Sequence, residues 1–163
     1  MLAADVVGLL IERRLTVAVA ESLTGGLLVA ELVSVPGASS VVRGGVVAYA
    51  TPLKHALLDV DSELLASHGA VDPEVARQMA AGVRTRLAVD GEPVAIGIST
   101  TGVAGPDPQD GHPVGEVWLG LSIGDETRVK RLDLGGDRAA IRAATVSESL
   151  SWLLERLRDG ASE

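Results

Sequence analysis

The chain has no cysteine and no phenylalanine, and only one tyrosine and two tryptophans among its 163 residues. The missing cysteine excludes disulfides, thiolate metal sites and a thiol nucleophile. With aromatics at 2% and hydrophobic residues at 47%, the core must be built from Val, Leu, Ile and Ala. Basic charge is scarce too: 14 Lys and Arg stand against 22 Asp and Glu, leaving a net charge of -8. Such a chain lacks the basic footprint that broad nucleic-acid binding needs, so an anionic ligand must be held by a local cluster. The three histidines, His55, His68 and His112, have no metal-ligand spacing. No apolar run reaches membrane-spanning length. The N-terminal MLAADVVGLLIERRL puts an acid early and arginines late, the reverse of a signal peptide. The expectation is a cytoplasmic protein with no membrane, nucleic-acid or metal partner and no cofactor.

What is present alternates between helical and strand patterns. A length of 163 residues suits one domain with a substantial core. Leu2 to Arg13 carries Leu2, Val6, Leu9 and Leu10 at helical spacing. Leu15 to Glu21 favours strand, and Thr24 to Val35 reads as a helix stopped by Pro36-Gly37. Gly45 to Tyr49 is a second strand, and Pro52 opens a short helix carrying Lys54. Asp61-Ser62 and Asp72-Pro73 mark two helix starts, the second leading a long helix through Leu87. Val94 to Thr100 is a third strand, followed by a Gly-, Pro- and Asp-rich loop to Pro113. Gly115 to Ile123 and Thr127 to Leu134 form a hairpin around Gly124-Asp125. A last helix, Asp137 to Leu157, presents Ala143, Val146, Leu150, Leu153 and Leu157. The pattern predicts one α/β domain over residues 1–163: a three-layer α/β/α sandwich with a mixed, mostly parallel sheet ending in a hairpin.

In such sheets ligands sit beyond the carboxyl ends of the strands. Surplus polar chemistry falls at those ends: Glu21-Ser22-x-Thr24-Gly25-Gly26, Tyr49 with Thr51, and Thr100-Thr101-Gly102. Ser22 or Thr24 could simply cap the following helix. Alternatively Ser22 is a nucleophile beside a turn whose amides stabilise an oxyanion or hold phosphate. No histidine is an evident base, and each reads as solvent-facing. The chain has only two lysines. Lys130, in TRVKRLDL, reads as an exposed strand residue, whereas Lys54 follows the only tyrosine and could serve as a desolvated base. A short-chain dehydrogenase is excluded: Tyr49 and Lys54 are five positions apart with Pro52 between them, and no Gly-x-Gly-x-x-Gly turn follows the first strand. Thr101, Gly102 and Gly105 could let backbone approach a ligand. Arg138 and Arg142 could meet phosphate, or pair with surface acids.

Taken together, AES-x-TGG, GGVVAYATPLK, TGVAGP with the later PVGEVW, and GGDRAAIR resemble the C-terminal domain of the CinA proteins, the nicotinamide-nucleotide amidohydrolase family, in the same order over nearly the whole chain. The resemblance implies a single α/β/α domain that hydrolyses the carboxamide of nicotinamide mononucleotide to nicotinate mononucleotide and ammonia without a metal. By the same resemblance Ser22, Tyr49 and Lys54 are catalytic. The substrate is expected to meet Glu21, Thr24, Gly25, Gly26, Thr101, Gly102, Gly105 and Arg138, in a homo-oligomer taking a small nucleotide. A non-catalytic, regulatory nucleotide-binding module is the alternative. Two departures stand out: Leu23 occupies a position that usually holds cysteine, and Asp107-Pro108-Gln109-Asp110-Gly111 replaces a loop that usually carries Gly-Gly. Many relatives also carry an N-terminal domain resembling molybdopterin-binding proteins, and no pyrophosphatase activity of that kind is expected of these residues.

Overall fold

A computed structural model describes residues 1–160. The elements in chain order are α1 (Leu2–Arg13), β1 (Val17–Glu21), α2 (Leu27–Val33), β2 (Val42–Val47), α3 (Thr51–Leu58), α4 (Ser62–His68), α5 (Pro73–Arg86), β3 (Ile96–Gly102), β4 (Glu116–Ile123), β5 (Glu126–Asp133) and α6 (Arg138–Asp159). The sheet order is β2-β1-β3-β4-β5. β1 is parallel to β2 and β3, while β4 is antiparallel to both β3 and β5. Four strands therefore run one way and β4 alone runs back, which is the mixed, mostly parallel sheet expected.

Side-chain alternation in β1 makes the three layers. Val17 and Val19 face a core shared with α1, α2 and α6. Ala18 and Ala20 face the other side, among Leu58, Leu65, Val75, Met79 and Val83 from α3, α4 and α5. Both faces are covered, as a largely parallel sheet requires. The α5 side is packed closely enough to need glycine. A Cβ on Gly97 would lie 2.0 Å from Ala80 O, and one on Gly120 2.2 Å from Ala76 O. Gly97→Ala is therefore expected to destabilise the fold by roughly 1–3 kcal/mol. Gly8 in α1 has no atom within 4 Å of its built Cβ, so Gly8→Ala should gain up to about 1 kcal/mol through helix propensity. Urea denaturation of the two variants reads both signs, and destabilisation by Gly8→Ala would contradict the packing described.

Most boundaries lie within a few residues of the sequence reading, and the differences have tertiary causes. Gly25 and Gly26 adopt left-handed φ values of 59 and 101°, so α2 starts at Leu27 rather than Thr24. β2 begins three residues early because it pairs with β1 from Val42 opposite Val17. It stops where β1 stops: the Ala48 N–H donates to Glu21 O, and Tyr49 lies beyond the pairing. β3 runs Ile96–Gly102 rather than Val94 to Thr100, because its last residues pair with the start of β4. Asp61, Asp72 and Asp137 cap α4, α5 and α6 as expected. Ala143 is exposed, however, and Ile141 takes the expected place at the head of the buried α6 stripe. Among the described residues no helix is long and apolar enough to cross a membrane.

Candidate functional site

The parallel strands β1, β2 and β3 end side by side, and the chain's polar residues collect there. A cavity of about 380 Å³ opens at this edge, a size suited to a small ligand. Ser22, Leu23, Tyr49, Lys54, Ala70, Thr101, Gly102, Gly105, Asp107, Gln109 and Arg138 are among its lining residues.

Ser22 stands at the first residue after β1. Its backbone is fixed from outside the turn, with its N–H donating to Thr100 O at 3.0 Å. The turn is also closed from within by the Gly25 N–H donating to Ser22 O. The Ser22 hydroxyl is left to accept from Lys54 Nζ at 3.0 Å. Lys54 reaches it from the first turns of α3, and is fully buried. Its amine also donates to Ala48 O at 2.7 Å and Tyr49 O at 3.4 Å. Among the described residues no carboxylate forms a salt bridge with it. Burial without a counter-charge disfavours the ammonium, and the pKa falls from 10.5 to about 8. At pH 7 about one molecule in ten then carries a neutral amine against the serine hydroxyl. Such a pair can activate an alcohol as a nucleophile.

The other sequence candidates divide into those at the cavity and those behind it. Thr101, Gly102, Gly105 and Arg138 line it. The Tyr49 side chain also lines it, but its hydroxyl accepts from Arg138 Nη2 at 2.9 Å. What Tyr49 contributes to the Ser22–Lys54 pair is its carbonyl. Arg138 is held in turn by donating to Gly105 O at 2.5 Å. Glu21, Thr24, Gly25 and Gly26 stand outside the lining. Glu21 is fully buried and accepts from the Leu28 and Val29 N–H groups at 2.8 and 3.1 Å. It thus does the capping open to Ser22 or Thr24 from sequence; α2 begins at Leu27 behind Gly26, which has no side chain to cap it. Thr24 hydrogen-bonds Thr100 Oγ1 at 2.8 Å. Arg142 turns away from any phosphate role, donating to Leu23 O and Thr24 O and so bracing the serine turn.

Several participants were not legible beforehand. The carbonyls of Ala48 and Tyr49 matter through their backbone, which no side-chain pattern reports. Ala70 and Val71 form a wall because Thr101 Oγ1 donates to Ala70 O at 2.7 Å, tying the connection between α4 and α5 to β3. The Leu23 N–H has no hydrogen-bond partner among the described residues and belongs to a lining residue. No histidine lines the cavity. His55 bonds Val60 O, His68 meets Ser67, and His112, expected to face solvent, is half-buried against Glu116. Lys130 bridges to Glu148 on α6, rather than standing free on the strand. Among the described residues no three His, Asp or Glu side chains form a group that could hold a metal ion.

Known proteins resemble this chain in sequence and fold. A "CinA-like protein" of Frankia casuarinae is 49% identical over 95% of this chain. A "putative competence-damage inducible protein" of Geobacillus is also 49% identical, over 93% of it. The chain spans about a third of the length of these curated relatives, 34% and 35% respectively. Among solved structures, a CinA superfamily protein from Klebsiella pneumoniae superposes with a TM-score of 0.91 at 31% identity, covering 97% of this chain and 96% of that one. A competence/damage inducible protein from Agrobacterium tumefaciens gives 0.88 at 33% identity, covering 96% and 93%. The family model described as the CinA C-terminal domain matches residues 1–157. With relatives and fold agreeing over nearly its whole length, the chain belongs to the CinA C-terminal domain family.

Proposed function

We propose that this domain is an amidohydrolase acting on the carboxamide of nicotinamide mononucleotide through an acyl-enzyme on Ser22. The observation that carries the reading is the buried Lys54 amine, 3.0 Å from the Ser22 hydroxyl with its pKa lowered to about 8. A lysine kept only for charge would be matched with a carboxylate; this one is desolvated beside a nucleophile. Neutral Lys54 takes the serine proton as Oγ attacks the amide carbon. The tetrahedral intermediate collapses as the new ammonium of Lys54 protonates the departing nitrogen, which leaves as ammonia. Water then attacks the ester, again with Lys54 as base, and releases the carboxylate and free Ser22. The Leu23 amide, next in sequence to the nucleophile, is the donor available to the oxyanion.

Arg138 and Tyr49 supply a cationic, hydrogen-bonding rim that suits a phosphate in an otherwise acidic protein. Lys54, Arg138 and Asp107 are the charged side chains of the lining, so binding rests on few charges. A cytoplasmic homo-oligomer is the assembly proposed. The test is ammonia release from nicotinamide mononucleotide, with free nicotinamide and glutamine as controls. Preference for the mononucleotide supports the reading. Tight binding of the nucleotide without ammonia would leave a regulatory binding module instead.

The lowered lysine pKa sets the pH dependence. Turnover should rise with pH as Lys54 loses its proton and level off above about 8. Folding is linked to the same proton. Between about 8 and 10.5 the unfolded chain binds more protons at this lysine than the folded one, so stability should gain with pH across that window. Lys54→Met removes the titration, and denaturation curves at several pH values should show wild type gaining on the variant between those limits. A constant difference would mean that the burial does not act on the amine's proton.

A further inference from the structure

The loop that departs from the family pattern is an ordered hairpin. The Gln109 and His112 N–H groups each donate to the other's carbonyl, at 3.1 and 2.8 Å. Asp110 and Gly111 between them take φ values of 50 and 80°, the turn that an Asp-Gly pair favours. One end of this hairpin brings Asp107 and Gln109 to the cavity. The other end meets a buried acid. Glu116, on the first residue of β4, is 5% exposed. Its Oε2 lies against His112 Nδ1 and makes no hydrogen bond of good geometry, while Oε1 is 3.2 Å from Arg131 Nη2. Arg131 is fixed independently: it packs over the Trp118 ring at 5.6 Å and pairs with Asp133 at 3.0 Å. A buried carboxylate is expensive to desolvate and is rarely kept where an apolar residue would serve. Here it joins β4, an inner strand of the sheet, to a loop at the ligand cavity.

We propose that Glu116 is a positioning residue: through His112 it holds the 107–112 hairpin as a fixed wall, so that Gln109 and Asp107 contact the bound nucleotide and set its affinity. The proposal rests on the amidohydrolase reading for its substrate, and concerns binding rather than the Ser22–Lys54 chemistry. Gln109 offers a donor and an acceptor, and Asp107 an acceptor for hydroxyls or a partner for a cationic ring. Neither residue belongs to the nucleophile turn.

The test compares wild type, Glu116→Gln and His112→Ala with nicotinamide mononucleotide as the probe, and reads hydrogen exchange without substrate. Losing the anchor should raise KM about tenfold with kcat within about twofold of wild type, because the contacts serve ground state and transition state alike. Exchange of the Gln109 and His112 amides should accelerate in both variants while β3 and β4 stay protected. Two results would overturn the proposal: a fall in kcat at constant KM, or unchanged exchange together with unchanged KM. If wild type releases no ammonia, the amidohydrolase reading fails on its own, and the exchange measurement still decides whether Glu116 holds the hairpin.

Discussion

Replacing Ser22 by alanine is expected to lower amide turnover by at least about a thousandfold, the scale on which nucleophile deletions act in serine-dependent hydrolases. The fold should survive. Among the described residues the Ser22 hydroxyl makes one hydrogen bond, accepting from Lys54. The turn itself is held by backbone bonds from Ser22 to Thr100 and from Gly25 to Ser22, and by the Arg142 braces on Leu23 and Thr24. Nucleotide affinity should also change little, because Arg138, Tyr49 and the hairpin wall are untouched. Turnover, calorimetric affinity and the denaturation midpoint of the variant together check this. Near-normal turnover would remove the covalent route, and an unfolded variant would show that the hydroxyl serves structure.

Loss of the Lys54 amine is expected to cost about a hundredfold to ten-thousandfold in turnover, the range for removing a general acid–base group. Lys54→Met is the informative change, because methionine has similar length and suits a fully buried position. Lys54→Arg asks a harder question. Arginine keeps the charge and cannot shed its proton, but a larger permanent cation in that enclosed site carries its own folding penalty. Turnover should be lost in both variants, and the thermal midpoint should drop more for arginine. Lys130→Arg, on β5 beside Glu148, is the control and should match wild type. Equal turnover in the Lys54→Met variant and wild type would mean that the proton passes through another group.

The candidate site was legible where side-chain chemistry and chain order carry the signal. Ser22 stood out because a strand-to-helix turn had more hydroxyls and glycines than a connection needs. Lys54 stood out because only two lysines exist, and the other lies in a charged strand. Helix caps at Asp61, Asp72 and Asp137 were readable because one side chain satisfies neighbouring amides. Roles that depend on how the chain turns back on itself were not. Glu21 was assigned to substrate; its burial against the amides of Leu28 and Val29 depends on how the Ser22–Gly26 turn folds back. Tyr49, catalytic by the resemblance, accepts at its hydroxyl from Arg138, 89 residues away, and meets the Lys54 amine through its carbonyl. The β2 bounds shifted because pairing with β1, rather than the local Gly44-Gly45 sequence, decides where that strand begins. His112 reads as solvated although Glu116 is only four residues on, because sequence does not show that the Pro113–Gly115 bend turns that acid back against it.

The central claim, an acyl-enzyme on Ser22, is tested most directly by product partitioning. Nicotinamide mononucleotide and the methyl ester of nicotinate mononucleotide share one acyl group and differ only in what leaves. Each is turned over in the same mixture of water and hydroxylamine, and the ratio of hydroxamate to free acid is measured. A shared acyl-enzyme has no memory of its leaving group, so the account predicts the same ratio from both substrates. Two different ratios would show that water and hydroxylamine attack each substrate directly, which would contradict it.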